Sequence, residues 1–220
     1  VSTKQLITYD LPTLSYNDSG EKALHLMNEF RVFHLPLVQG DNYIALISED
    51  DLLDWDTPEE PLSLAEFITF RPAIMASKHA FEAMKLVKAF GLSVLPVVDD
   101  HNHYLGLVTV ESLLHVIADS NAVMEHGAIL VLEMDQRSYS LSEMARICES
   151  NDITILASFI KTLDETGLQR VTLKLNKTDV HSVLATFERY SYQVVEVYAS
   201  ENHKENLKEN FDLLMHYLNT

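Results

Sequence analysis

Ser48-Glu49-Asp50-Asp51 and Thr109-Val110-Glu111-Ser112 each place a hydroxyl three residues ahead of a second polar side chain, just after an apolar run. A hydroxyl where a strand feeds a helix has two uses. It can cap the helix by accepting a free N–H of the first turn, with the residue three further on closing a capping box. It can also face an incoming anion together with those N–H groups, while a carboxylate one turn on accepts hydroxyl groups. The copies differ in one respect, because Asp51 is a carboxylate and Ser112 is not. Ser48 to Asp51 also packs three carboxylates into one turn, which opposes a polyphosphate unless bases or a metal compensate.

Other chemistry-bearing residues reduce to plainer roles. His101-x-His103 beside Asp99-Asp100 has metal-ligand residue types, but turn polarity accounts for it, and no metal ligand is assigned. The ten histidines form no HExxH arrangement. Cys148 falls on the apolar stripe of a helix and reads as a core thiol. A single cysteine excludes an intramolecular disulfide framework and suits a reducing cytoplasm. With no Ser-His-Asp order, phosphate loop or paired-carboxylate site, the chain is not read as an enzyme. A metal hydrolase around His101 and His103 is the one enzyme reading left, and metal analysis would remove it.

Composition narrows the partners. The chain has 220 residues and a formal charge of −17, with no basic block, so nucleic acid and anionic membrane surfaces are excluded. No apolar run reaches the roughly 20 residues needed to cross a bilayer, and VSTKQLITYD is not a signal peptide. A cytoplasmic protein is expected.

The elements that must position the two motifs are themselves duplicated. Gln5-Leu6-Ile7-Thr8 is echoed by Glu66-Phe67-Ile68-Thr69, and Leu35-Pro36-Leu37-Val38 by Leu95-Pro96-Val97-Val98. Ile44-Ala45-Leu46-Ile47-Ser48 is echoed by Leu105-Gly106-Leu107-Val108-Thr109, after a single-residue slip in the turn. Ala23, Leu24, Met27 and Phe30 recur at helical spacing, as do Ala83, Met84, Val87 and Phe90. Each copy therefore predicts a helix, a two-stranded hairpin and a second helix carrying Leu52-Leu53 or Leu113-Leu114. Neither copy can bury its sheet face alone, so the two should pack about a pseudo-twofold axis. Asp54 to Pro61 is the linker.

From Gly127 the pattern changes. A strand at Ala128 to Asp135 is followed by a helix with Leu141, Met144, Ala145 and Cys148 on one stripe. Strands follow at Ile153 to Thr162 and Leu168 to Asn176, then a helix with Thr178 as N-cap and a strand at Gln193 to Ala199. Strand-helix-strand-strand-helix-strand is the ferredoxin-like order. Leu207, Phe211, Leu214, Met215 and Leu218 predict a C-terminal amphipathic helix that docks on its own domain or on a partner.

The doubled pattern, with its Leu35-Pro36 and Leu95-Pro96 pairs and its Gly106-Leu-Val-Thr109 strand, resembles a tandem CBS domain pair (a Bateman module). Residues 127–199 resemble an ACT domain by element order. The combination is similar to bacterial CBS-ACT proteins of the acetoin-utilisation-regulator type. The resemblance implies an α+β fold, a CBS pair followed by a ferredoxin-like βαββαβ domain. The expected divisions are 1–60, 61–122, 127–200 and 201–220. It also implies regulation by an adenosine-containing ligand (AMP, S-adenosylmethionine, ATP or NAD) and no required cofactor.

By the family motif, Ser48 and Thr109 face phosphate, and Asp51 accepts ribose hydroxyls where Ser112 cannot. His34, before the first Leu-Pro strand, and Arg71, before the second repeat's helix, are candidate bases. The family's pseudo-symmetry sets Asp51 against Ser93 and Val94, and His34 in the cleft without a carboxylate. One site centred on Asp51 is therefore expected, with AMP or S-adenosylmethionine favoured by the local acidity. In the ACT ligand loop, Tyr139 stands close to where the family has glycine, which leaves dimerisation as that domain's use. A homodimer is expected, with a protein partner still to be named. The alternative is a scaffold that binds no nucleotide and acts by self-association and partner docking.

Overall fold

The computed structural model describes residues 1–199, and the expected C-terminal helix over 201–220 lies outside them. The chain divides into two compact units, Val1–Ile117 and Ala118–Thr220. No helix among the described residues is long and apolar enough to cross a membrane.

The first unit contains α1 (Gly20–Phe30), β1 (His34–Gln39), β2 (Asn42–Ser48), α2 (Glu49–Leu53), β3 (Ile74–Met75), α3 (Ala80–Phe90), β4 (Val94–Val98), β5 (Tyr104–Thr109) and α4 (Val110–Ala118). In both repeats the hairpin is antiparallel, β1 with β2 and β4 with β5. The slip in the turn lengthens the second hairpin's loop.

Neither repeat closes its own sheet. Residues before α1 serve both repeats in turn. Thr3 and Lys4 donate to the carbonyls of Lys78 and Ala76, and Thr8 exchanges backbone hydrogen bonds with Leu107 on β5. The chain then crosses, so that Leu14 donates to Pro36 and accepts from Val38 on β1. Reciprocally, Phe70 accepts from Leu46 on β2 before β3 joins β4 in parallel. The exchange requires Gly106, whose φ is +132° and where a Cβ would stand 2.4 Å from Ile7 Cγ2.

Leu35, Leu37, Ala45, Ile47 and Leu52 form the first repeat's core with Ala23 and Met27. Leu46, from the same strand as Ala45 and Ile47, is buried instead in the second repeat's core. The linker is packed, since Pro58 accepts a hydrogen bond from Glu21 at the start of α1 and Trp55 meets Phe67 edge-on at 5.6 Å. Phe30 and Phe90 depart from the expected stripes. They lie in the last helical turn and are exposed rather than core.

The second unit adds α5 (Asn121–Met124), β6 (Ile129–Met134), α6 (Leu141–Glu149), β7 (Ile155–Thr162), β8 (Gln169–Leu175), α7 (His181–Arg189) and β9 (Gln193–Tyr198). Its sheet runs β7-β8-β6-β9, all antiparallel, which is the ferredoxin-like arrangement. Leu130, Leu132, Leu173, Val183 and Phe187 are buried with Cys148 in one core. Burial pushes the Cys148 thiol up to about 11. α7 begins with Val180 at the N-cap and no side-chain cap, so Thr178 does not hold the place the sequence suggested.

Candidate functional site

The strand-to-helix junction of the second repeat is a reciprocal capping box. Ser112 N–H donates to Thr109 Oγ1 at 3.0 Å, and Thr109 N–H donates to Ser112 Oγ at 3.2 Å. Thr109 Oγ1 is the acceptor in that pair, so its own O–H can turn outward.

These residues line a cleft of about 640 Å³. Its far wall comes from the exchanged segment, with Thr8, Asp10 and Leu11, and from the end of the first repeat's α1, with Phe30, Arg31 and Val32. Ser93 and His115 also line it. Thr8 Oγ1 donates to Asp10 Oδ2 at 2.8 Å and so holds the carboxylate in place.

Arg31 takes the left-handed conformation, φ +55°, where the matching position of the second repeat has Gly91 at φ +64°. Glycine adopts that conformation freely, whereas a side chain there costs about 1 kcal/mol. The conformation closes α1 as Gly91 closes α3, and it places an arginine on the cleft wall.

The first repeat's junction is built differently. Asp51 N–H donates to Ser48 Oγ at 3.1 Å, and Ser48 Oγ donates back to the Asp51 carboxylate at 2.6 Å. The Ser48 proton is therefore committed to Asp51 Oδ2. Neither residue lines the 640 Å³ cleft. By backbone pairing Phe70 takes the place of Thr8 on this side, one residue on from the Thr69 of the sequence echo, and by the repeat correspondence Phe90, Gly91 and Phe33 take those of Phe30, Arg31 and Ser93. Phe70 and Phe90 meet edge-on, 5.5 Å between centroids, and no basic residue replaces Arg31.

His34 and Arg71, the two candidate bases, lie in different surroundings. His34 is in register with Ser48 on the neighbouring strand. Burial lowers its pKa below the ordinary histidine value, against the opposing pull of Asp50 and Asp51. Its Nδ1 lies 3.1 Å from Ser93 Oγ and accepts the Ser93 N–H at 3.3 Å. Strand pairing explains this, since β1 brings its first residue alongside the last residue of β2. Arg71 is exposed, and its charge acts on Tyr43, whose hydroxyl donates to Pro72 at 2.9 Å.

Sequence reasoning missed Asp10, Arg31 and His115. The usable signal for Arg31 was its alignment with Gly91 just after matching helices. Asp10 carried none, because its segment serves the other repeat.

In the second unit, the loop after β6 makes a short 3-10 turn, Gln136–Ser138, and Ser140 caps α6 by accepting the Glu143 N–H. Tyr192 donates to Glu143 at 2.7 Å across this region, which with burial pushes the phenol up to about 12.

The family model described as "CBS domain" matches residues 4–57 and 66–119. Among curated proteins, a homoserine O-acetyltransferase of Methanocorpusculum labreanum is 31% identical over 118 residues, covering 51% of this chain and 23% of the enzyme. An inosine-5'-monophosphate dehydrogenase of Bacillus subtilis is 27% identical over 115 residues, covering 50% of this chain and 23% of the enzyme. The chain thus spans under a quarter of these relatives' length, and their catalytic activities are not carried across. Among solved structures, a CBS domain pair/ACT domain protein of Thermotoga maritima is 19% identical with a TM-score of 0.47, covering 54% of this chain and 98% of that one. CBSX2, solved in complex with AMP, is 21% identical with a TM-score of 0.47, covering 54% and 96%.

Proposed function

The N-terminal half of this chain is a tandem CBS-domain pair, and from that premise we propose that it binds an adenosine-containing monophosphate in the Thr109–Arg31 cleft. The observation that carries the reading is Arg31, held in a strained backbone conformation on the wall of a cleft whose opposite side is a helix N-terminus with an available hydroxyl. A volume of about 640 Å³ suits a nucleotide.

Each wall then has a chemical part. Arg31, the Thr109 hydroxyl and the first N–H groups of α4 receive the phosphate. Asp10 accepts the ribose hydroxyls, supplying from the exchanged segment the carboxylate that Ser112 lacks. Phe30, Val32 and Leu11 give the base an apolar surface. Asp10 and Glu111 also line the cleft, so its cations are balanced, which favours AMP over ATP. Because the site draws on both repeats, ligand binding tightens their pairing and gives a regulatory signal. The second unit serves dimerisation through edge strand β7, where Phe159 and Ile160 are exposed.

Thermal-shift titration with AMP, ATP, NAD and S-adenosylmethionine tests the reading, with Arg31→Asn and Asp51→Ala as paired variants. AMP should raise the Tm of the native chain and of Asp51→Ala, and the shift should vanish in Arg31→Asn. Stabilisation by none of the four ligands sinks the reading. Loss of the shift in Asp51→Ala alone moves the site back to the first repeat.

A further inference from the structure

The turn between β4 and β5 belongs to neither cleft. Asp99 Oδ1 accepts the backbone N–H groups of both His101 and His103, each at 2.8 Å, and Asp99 Oδ2 lies 2.9 Å from His103 Nδ1. Asn102 takes φ +67°, which folds the turn so that the two imidazoles stack, 5.7 Å between centroids with planes 23° apart. One ligand atom from each of Asp99, His101 and His103 lies within 4.8 Å of the other two. Polarity alone would satisfy an exposed turn, but here two backbone N–H groups fix one Asp99 oxygen, the other meets the His103 ring, and one donor atom from each of the three side chains lies close to the others.

We propose that Asp99, His101 and His103 form a three-ligand site for a borderline divalent metal ion such as Zn²⁺, with solvent completing the shell. Two imidazole nitrogens and one carboxylate oxygen suit Zn²⁺ or Ni²⁺, whereas Ca²⁺ and Mg²⁺ prefer all-oxygen sets. Ligand atoms of a tetrahedral zinc shell stand roughly 3.4 Å apart. Closure therefore asks the exposed His101 ring to swing inward, and the ion to replace the proton between Asp99 Oδ2 and His103 Nδ1. The Asp99 side chain is 34% exposed and that of His103 47%, so entry needs no opening of the core.

The consequence reaches past the turn, because Asn102 and Tyr104, beside the proposed ligands, join the two repeats. Asn102 accepts the Tyr43 N–H at 3.3 Å and donates its side-chain N–H to Tyr43 O at 3.0 Å, while Tyr104 N–H donates to Asp41 at 2.7 Å. An ion on His101 and His103 fixes the loop that grips the opposite hairpin. The residue added in the repeat's one slip lies in this loop, which gives the second hairpin a role the first cannot copy.

Zinc titration of the full chain by calorimetry, with Co²⁺ absorption as a coordination probe, tests the site. The native chain should bind one Zn²⁺ at this turn with a rise in Tm, and His101→Ala and His103→Ala should each weaken binding roughly tenfold or more. Absence of zinc binding, or binding unchanged in both variants, overturns the proposal. If His103→Ala does not fold, His101→Ala carries the test, since that side chain's only polar role is the proposed one. AMP titration of His101→Ala keeps this result separate from the nucleotide reading, because none of the three ligands lines the Thr109 cleft.

Discussion

At the junction of β2 and α2, Asp51 turns back on Ser48 and accepts its hydroxyl. At the junction of β5 and α4, Thr109 and Ser112 also cap each other, yet they stand on the wall of an open cleft with Arg31 and Asp10 opposite. The junctions are nearly the same local structure, and what separates them comes from elsewhere in the chain. Phe70, Phe90 and Gly91 correspond on the first side to Thr8, Phe30 and Arg31 on the second. The segment from Tyr9 to Thr13 is also longer than its counterpart, Arg71 to Ala73, between the matching backbone pairings at Thr8 and Phe70 and at Leu14 and Ile74. A motif therefore marks the start of a helix, while the opposite repeat decides what that start faces.

The largest test of that division acts on the exchanged segment. Gly106→Ala should destabilise the first unit by about 3 kcal/mol, because the new Cβ meets Ile7 Cγ2 at 2.4 Å and φ +132° strains any side chain. The matching change in the first repeat, Ala45→Gly, should cost only about 1–2 kcal/mol, from one buried methyl and backbone entropy. Urea unfolding of the two variants measures both. Equal losses would mean that the N-terminal segment does not depend on close approach to β5.

A smaller effect is expected from exchanging the end residues of the two motifs. Ser112→Asp adds a carboxylate facing the Asp10 side of the cleft and should tighten AMP binding up to about tenfold, the gain from one charge-assisted hydrogen bond. Asp51→Ala should leave AMP affinity unchanged and cost about 0.5–1 kcal/mol of stability, because the Ser48 cap stays and only its hydrogen bond to the carboxylate is lost. Calorimetric titration with AMP beside urea unfolding separates the two effects. A loss of affinity in Asp51→Ala would restore the first repeat as the binding side.

The architecture was legible because burial is periodic. The Leu-Pro strands, the Ala23–Met27 and Ala83–Val87 stripes and the alternation of Val171 to Leu175 each follow from one buried face, and each recurs in the folded chain. The open cleft was not legible from its motif, since its wall depends on a chain crossing that pairs Thr8 with Leu107 and Leu14 with Pro36. His34 serves both sides of the pair, bonded to Ser93 of the second repeat while standing beside Ser48 of the first. Repeat symmetry gives the contact with the second repeat, and hairpin register gives the neighbour Ser48. The helical spacing of Phe30 was read correctly, but its role was not, because periodicity does not say where the sheet beneath a helix ends.

His34 gives the smallest and most specific distinction between the repeats, since the corresponding residue, Val94, cannot titrate. Burial holds the folded His34 below its ordinary pKa of about 6.5, and Asp50 and Asp51 only partly offset that. As pH falls through about 6.5, the unfolded chain takes up this proton before the folded chain does, so the unfolded state binds more protons and stability drops. The contribution is fully present above the unfolded value and is lost below it. Urea midpoints measured near pH 7.5 and near pH 5.5 should therefore lie closer together in His34→Asn than in the native chain. Asp51→Asn should move them further apart, because it removes a carboxylate that supports the protonated ring. An identical pH response in the native chain and His34→Asn would mean that the ring is not buried at the β1–β2 junction.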